Sequence, residues 1–192
     1  SETEYLNDLG ALLWATPLQY VLTFGPLLII LFTSAMWRRL SAGAALTGFI
    51  VISALIGVSF SGLALTYTNG SIAQMFFATS AAFGALSLFG YTTGKDLSGW
   101  GSFLWMGVFG VIAAMICNIF WPSGALCFAI NVIGVIVFSG FTAYDTQMIK
   151  QAYSDQMNPE DRNKLAISGA LDLYLDFINL FRFLLALFGS RE

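Results

Sequence analysis

Long apolar stretches alternate with short polar connections along almost the whole chain. A helix needs about 20 consecutive apolar residues to cross the hydrocarbon core of a bilayer. Stretches of about that length recur and predict six membrane-spanning helices in one all-α domain covering residues 1–192. They run over about Thr16–Met36, Ala44–Tyr67, Ser71–Thr93, Ser102–Phe120, Ala125–Met148 and Leu165–Phe188.

Charged residues are too scarce for a water-soluble protein of this size. Of the 192 residues, 57% are hydrophobic and 10% are charged, whereas soluble domains carry about 25% charged residues. The net charge of −3 offers no basic patch for nucleic acid. The chain has no histidine, which excludes imidazole metal sites, histidine-based catalysis and a histidine pH switch. The composition therefore predicts a polytopic protein of the lipid bilayer, without a cofactor, whose pH response must come from carboxyl groups.

The basic residues are concentrated in alternate connections, and this predicts the orientation in the membrane. They are Arg38, Arg39, Lys95, Lys150, Arg162 and Lys164. The positive-inside rule places the connections at 37–43, 94–100 and 150–164 in the cytoplasm, the last one long and polar throughout. The first residues then lie outside. Since the chain starts at Ser1 rather than at methionine, we expect a preceding helix, hence seven spans in the full protein.

Small side chains recur in the apolar segments, where they predict close packing between helices. The positions are Gly57, Ser61, Ala81, Gly84, Gly90, Gly107, Gly110, Gly134 and Ser139. Two cysteines, Cys117 and Cys127, flank the short sequence WPSG. Two buried free thiols are favoured there over a disulfide.

Three aspartates interrupt the last two apolar segments. Asp145 lies near the cytoplasmic end of the fifth segment, and Asp172 and Asp176 share one face of the sixth. A charged side chain inside a membrane helix costs about 2.5–3.5 kcal/mol, so such residues mark candidate functional sites. Asp176 lies roughly 16 Å into its span and must face a partner helix or a water-filled cavity. A solvated helix end for Asp145 and a loop-facing side chain for Asp172 remain open alternatives.

Two carboxyl groups buried side by side share a proton, because both cannot ionise cheaply. In acid, a neutral hydrogen bond would join the two helices. As the pH rises, repulsion would part the helices or admit a cation, which predicts a pH-gated cation path. Further auxiliary candidates on the last two segments are Gln147, Asp172, Asn179 and Arg182. The first three could add oxygen ligands, whereas Arg182 lies on a different stripe of its helix and could snorkel to the outer surface.

The motifs GFTAYDTQ and ALDLYLDFINLFRFLL resemble the signature of the Bax inhibitor-1 family in its bacterial form. The resemblance implies a seven-helix fold with the last helix at its centre, so that this chain would lack the first helix. It also implies a pH-sensitive calcium leak in the bacterial inner membrane, with calcium and protons as the species handled. Its proton-sharing pair would be Asp145 of YDTQ and Asp176 of LYLDF, which would bind calcium weakly and transiently.

Two other functions are compatible with the same residues. The protein could be a membrane interaction partner that modulates proteases or death-regulating factors without passing ions. It could also be an intramembrane aspartyl protease, since Tyr144 and Asp145 resemble one half of the presenilin-type pair. The other half needs Gly-x-Gly-Asp, and residues 169–172 read GALD. No enzymatic activity is therefore expected, and the oligomeric state stays open.

Overall fold

A computed structural model describes residues 41–191, and the regular elements in this range are helices. We number them α1 (Ala42–Phe60), α2 (Asn69–Thr92), α3 (Trp100–Phe120), α4 (Gly124–Ala152) and α5 (Pro159–Phe188), with a short 3-10 helix at Ser61–Leu65 after α1. Within residues 41–191 the only extended pairing is an isolated antiparallel bridge between Tyr67 and Arg191. The all-α prediction is confirmed for this range. The predicted segment Thr16–Met36 lies outside the described residues.

Four of these helices are long and apolar enough to cross a membrane. They cover Ala42–Ala64, Asn69–Thr92, Trp100–Phe120 and Gly124–Ala152, the first of which joins α1 to most of the 3-10 helix. They correspond to the second to fifth predicted segments. The last predicted segment is also helical, as α5, but is not among the four. Its apolar part contains three charged residues, Asp172, Asp176 and Arg182, which lower its apolar character. Six spans are therefore not confirmed.

Helix α3 has the dimensions and the surface of a membrane span. Trp100 and Trp121 stand at its two ends and are 47% and 75% exposed. Its 21 residues rise about 31 Å, close to the thickness of about 30 Å of a bilayer's hydrocarbon core. Between the tryptophans, large apolar side chains point outward, among them Phe103, Met106 and Phe109. Such a surface suits lipid, with tryptophans at the two interfaces.

The connection predicted at 150–164 is mostly helical, so the prediction of a long polar loop there was wrong. Only residues 153–158 link α4 to α5. The Asn158 side chain accepts a hydrogen bond from the Asp161 backbone N–H at 2.8 Å and so caps α5. Pro159 follows at the helix start, where a missing N–H costs nothing. The charged residues of this stretch lie on the end of α4 and on the start of α5, where both helices extend beyond their apolar segments.

Residues 67–192 form one compact unit, and α1 belongs to a separate one. In the unit that holds α2 to α5, α4 packs against α2, α3 and α5, and α5 packs also against α2. Helix α4 thus packs against every other helix of this unit. A central position of the last helix within a seven-helix bundle stays a prediction from the resemblance.

Some of the predicted small residues lie at helix crossings and others do not. A Cβ atom added to Gly90 would collide with the backbone of Ala143. One added to Gly134 would lie 2.7 Å from the ring of Phe183. For three other glycines a Cβ would meet no described atom within 4 Å, namely Gly57, Gly84 and Gly110. The packing prediction is confirmed at Gly90, Gly107 and Gly134, and it stays a prediction at the other three positions, where no contact is described.

The two cysteines are free thiols, as favoured from the sequence. Cys117 is exposed, however, and Cys127 is half-buried, so the prediction of two buried thiols was wrong. Cys117 follows Met115 and Ile116, which are 41% and 51% exposed. This part of α3 is not covered by the described helices.

Candidate functional site

Asp145 and Asp176 face each other across the interface between α4 and α5. The two helices run antiparallel, since Gly134 contacts Phe183 near one end of the interface and Ile149 contacts Gly169 near the other. The aspartates lie between these two contacts, and their carboxyl groups are within hydrogen-bonding reach of each other. The structure thus brings together the two residues on which the sequence analysis centred.

Asp176 is a deeply buried carboxyl group, only 4% exposed. Its Oδ2 atom is buried and has no hydrogen-bond partner within residues 41–191. Asp145 is half-buried. A buried carboxylate oxygen without a donor is costly unless the carboxyl group holds a proton or meets a cation. The pair therefore has the chemistry of a proton or cation site.

Asp172 lies one turn before Asp176 on α5 and is exposed. It is close enough to both other aspartates to act on them through its charge. No group of three or more metal-ligating side chains (His, Cys, Asp or Glu) suited to hold a metal ion occurs in the described part of the chain. Calcium prefers six to eight oxygen ligands. The described side chains near the pair are too few to complete such a ligand set.

Aromatic side chains of α2 and α5 pack beside Asp176. The ring of its neighbour Phe177 meets Phe76 edge-on at 5.6 Å between centroids and Phe83 at 5.5 Å. Edge-to-face pairs at this spacing are favourable beyond the area they bury. They join α5 to α2 at the residue that follows Asp176.

The turn that carries Asp145 is held by neighbouring helices on two sides. Ala143 meets Gly90 of α2 at a crossing that leaves no space for a side chain. Tyr144 packs against the start of α3, where a Cβ atom on Gly101 would lie 2.7 Å from the Tyr144 hydroxyl oxygen. Two residues of the motif GFTAYDTQ, Ala143 and Tyr144, thus pack against neighbouring helices directly before Asp145.

Gln147 does not point its amide at the aspartates. Its Oε1 accepts a hydrogen bond from the Leu97 backbone N–H at 2.7 Å, and its Nε2 donates to the Lys95 backbone oxygen at 2.8 Å. The side chain is 5% exposed and Leu97 is 2% exposed. Gln147 therefore binds the connection between α2 and α3, a role that the sequence analysis missed because the partners lie 50 and 52 positions away along the chain.

The other two auxiliary candidates also lie apart from the carboxyl pair. Asn179 donates from Nδ2 to the Leu175 backbone oxygen of its own helix at 2.8 Å. Arg182 is exposed, and its position on α5 is about 9 Å of helix rise beyond Asp176. Neither the hydrogen bond of Asn179 nor the position of Arg182 brings its side chain to the carboxyl pair.

Ser87 is a candidate that the sequence analysis missed. Its Oγ atom is buried and has no hydrogen-bond partner among residues 41–191. On α2 it lies one turn after Phe83 and one turn before Gly90, so the three positions share a face. Phe83 packs on α5 next to Asp176, and Gly90 packs on α4 next to the turn of Asp145. The spacing of these residues in FGALSLFG indicates that they share a helix face. Only their contacts with α4 and α5 show that this face lies toward the carboxyl pair.

Comparison with known proteins gives consistent matches over nearly the whole chain. A family model described as inhibitor of apoptosis-promoting Bax1 matches residues 6–192. The inner membrane protein YbhL of Escherichia coli is 46% identical over 174 residues, which cover 89% of this chain and 74% of that protein. An uncharacterized protein of Caulobacter vibrioides is 50% identical over 186 residues, 95% of this chain and 74% of its own length. Protein RP147 of Rickettsia prowazekii is 44% identical over 181 residues, 94% and 77% of the two chains.

Proposed function

This chain belongs to the Bax inhibitor-1 family of integral membrane proteins, and we propose that it is a pH-sensitive calcium leak gated by Asp145 and Asp176. One observation carries the proposal. The Asp176 carboxyl group is buried, its Oδ2 has no donor within the described range, and a second carboxyl group, that of Asp145 on α4, lies within hydrogen-bonding reach of it. Such a pair responds to protons without any histidine.

The proton between the two carboxyl groups sets the state of the path. At low pH a shared proton lets one carboxyl group donate to the other, and α4 is bound to α5 at this level. As the pH rises the proton leaves, and two carboxylates in an apolar setting repel each other. The repulsion weakens the contact between the helices, and the freed negative charge attracts a divalent cation.

Calcium is the proposed permeant ion because the side chains near the pair are oxygen donors of the hard type that it prefers. The carboxylates of Asp145 and Asp176 would contact it first, with the Ser87 hydroxyl as a neutral oxygen on the α2 side. Exposed Asp172 would raise the local cation concentration at the mouth of the path. A site with so few ligands releases its ion readily, as conduction requires.

The pair is proposed to respond to cytoplasmic pH in the plasma membrane. Asp145 lies in the last two turns of α4, toward the end that carries Lys150, and Lys95 lies in the connection bound to the same end. Basic connections face the cytoplasm by the positive-inside rule. The relative YbhL is an inner membrane protein, which supports the same membrane here.

Calcium flux into liposomes containing the purified full chain, measured from acidic to alkaline pH, tests the proposal. We expect wild-type flux to rise with pH and Asp145→Asn or Asp176→Asn to flatten that rise. The control is Asp155→Asn, which removes an exposed acid from the connection 153–158 and should keep the wild-type profile. Absence of flux at every pH would refute the leak. A stable membrane partner that binds equally well to both aspartate variants would then favour the interaction protein.

A further inference from the structure

The connection between α2 and α3, residues 93–99, is fastened to the end of α4 that carries Asp145. Both polar ends of the Gln147 amide bind its backbone, at Leu97 N–H and at Lys95 C=O. Lys150 adds a hydrogen bond of 2.7 Å from Nζ to the Tyr91 backbone oxygen, and its Nζ lies 4.5 Å from the centre of the Tyr91 ring. The last two turns of α4 are therefore tied to the end of α2 and to the segment that follows it.

A glutamine is specifically suited to this contact. Its amide offers a donor and an acceptor at the end of one side chain, and it meets the buried Leu97 N–H and the part-buried Lys95 carbonyl with one of each. Leucine at this position offers neither, and an ionised glutamate cannot donate to the Lys95 carbonyl. Buried backbone groups left without partners are costly, so the contact orders both the connection and the helix turn.

We propose that Gln147 is a positioning residue, which with residues 93–99 forms a clamp that holds Asp145 in register with Asp176. The inference rests on the proposed function, since it concerns the regulation of the same carboxyl pair. Gln147 lies two residues after Asp145, and Ala143 and Tyr144 fix the same turn against α2 and α3. With the clamp in place the Asp145 carboxyl group cannot withdraw when the pair ionises, so the repulsion acts on α5.

Charged groups other than the pair lie close to the clamp. On α5, Asp172 and the pair member Asp176 lie close to Asp145. Lys95, Asp96 and Lys150 lie near the clamp. Asp96 is fully exposed, and its pKa is held below the ordinary value because the Ser98 backbone N–H donates to it at 2.9 Å. That hydrogen bond therefore favours the ionised form of the Asp96 carboxyl group.

Calcium flux of Gln147→Leu in liposomes, measured across pH, tests the clamp directly. Without the clamp the Asp145 turn can move, the proton-sharing geometry loosens and the closed state leaks. We expect flux at acidic pH to rise about fivefold to thirtyfold, the factor that one or two lost hydrogen bonds would give, with a smaller rise between acidic and alkaline pH. The matched control is Gln151→Leu, the same change at an exposed position on α4, which should leave the profile unchanged. A folded Gln147→Leu protein with the wild-type pH profile would overturn the proposal.

A second measurement keeps the clamp testable if Gln147→Leu fails to fold or if the protein passes no calcium. Hydrogen exchange of the Leu97 backbone amide reports its bond to Gln147 in the wild-type chain. We expect Asp145→Lys, which replaces the proton-sharing carboxyl group by a cation, to accelerate exchange at Leu97, whereas Asp155→Asn should not. Unchanged Leu97 exchange in Asp145→Lys would show that clamp and pair are independent. Missing flux with faster Leu97 exchange would refute the leak and leave the clamp standing.

Discussion

Gly90 on α2 touches the backbone of Ala143 on α4 so closely that a single added methyl group would overlap the Ala143 carbonyl. The obstructing atoms belong to a helix backbone, which cannot rotate away as a side chain could. This crossing lies two residues before Asp145. It therefore fixes how near α2 comes to the carboxyl pair, and with it the position of Ser87.

Replacing Gly90 by alanine should separate α2 from α4 and destabilise the protein. Overpacking of this kind costs about 1–3 kcal/mol, so thermal unfolding in detergent should occur at a lower temperature. The control is Gly84→Ala on the same helix, where the added methyl group meets no described atom. There the higher helix propensity of alanine should stabilise the protein by about 0.5–1 kcal/mol. Equal unfolding temperatures for the two variants would contradict the crossing.

Replacing Ser87 by alanine should affect stability and transport in opposite directions. Its buried Oγ has no partner in the described range, and removing an unsatisfied hydroxyl recovers part of a penalty of about 1–3 kcal/mol. At alkaline pH, where the pair is ionised, calcium flux should fall because one neutral oxygen ligand is lost. Ser80→Ala serves as the control, since the Ser80 hydroxyl donates to the Phe76 backbone oxygen of its own helix at 2.8 Å. Undiminished flux in Ser87→Ala would remove Ser87 from the path.

Replacing Asn158 by alanine should weaken the start of α5. The residue caps the helix through the Asp161 N–H, and its Nδ2 also donates to the Asp161 carboxylate at 2.7 Å. Losing such a cap costs about 0.5–2 kcal/mol, to be read from unfolding in detergent beside Asn163→Ala, an exposed asparagine one turn further along. If the two variants unfold alike, the cap contributes nothing to the stability of α5.

Helix type and approximate bounds followed from the sequence because hydrophobic runs of bilayer length have one solution in lipid. An unsatisfied backbone group is too costly there for any structure but a helix or a closed barrel, and a barrel strand needs only about 9–11 residues to cross. The start of α5 did not follow from hydrophobicity, since Asn158 and Pro159 begin the helix in polar sequence. The start signal of a cap followed by proline was present in the chain, and it marks a helix end whether or not the residues after it are apolar.

The sequence by itself determined the all-helical class, the family and the residues Asp145 and Asp176, because a carboxyl group in an apolar segment is conspicuous wherever the chain folds. It did not determine what surrounds that pair. The contact of Gly90 with Ala143, the buried hydroxyl of Ser87 and the clamp of Gln147 on Lys95 and Leu97 join positions far apart in the chain. Which faces of α2, α3 and α4 meet depends on packing between helices, and periodicity within one helix carries no record of its neighbours.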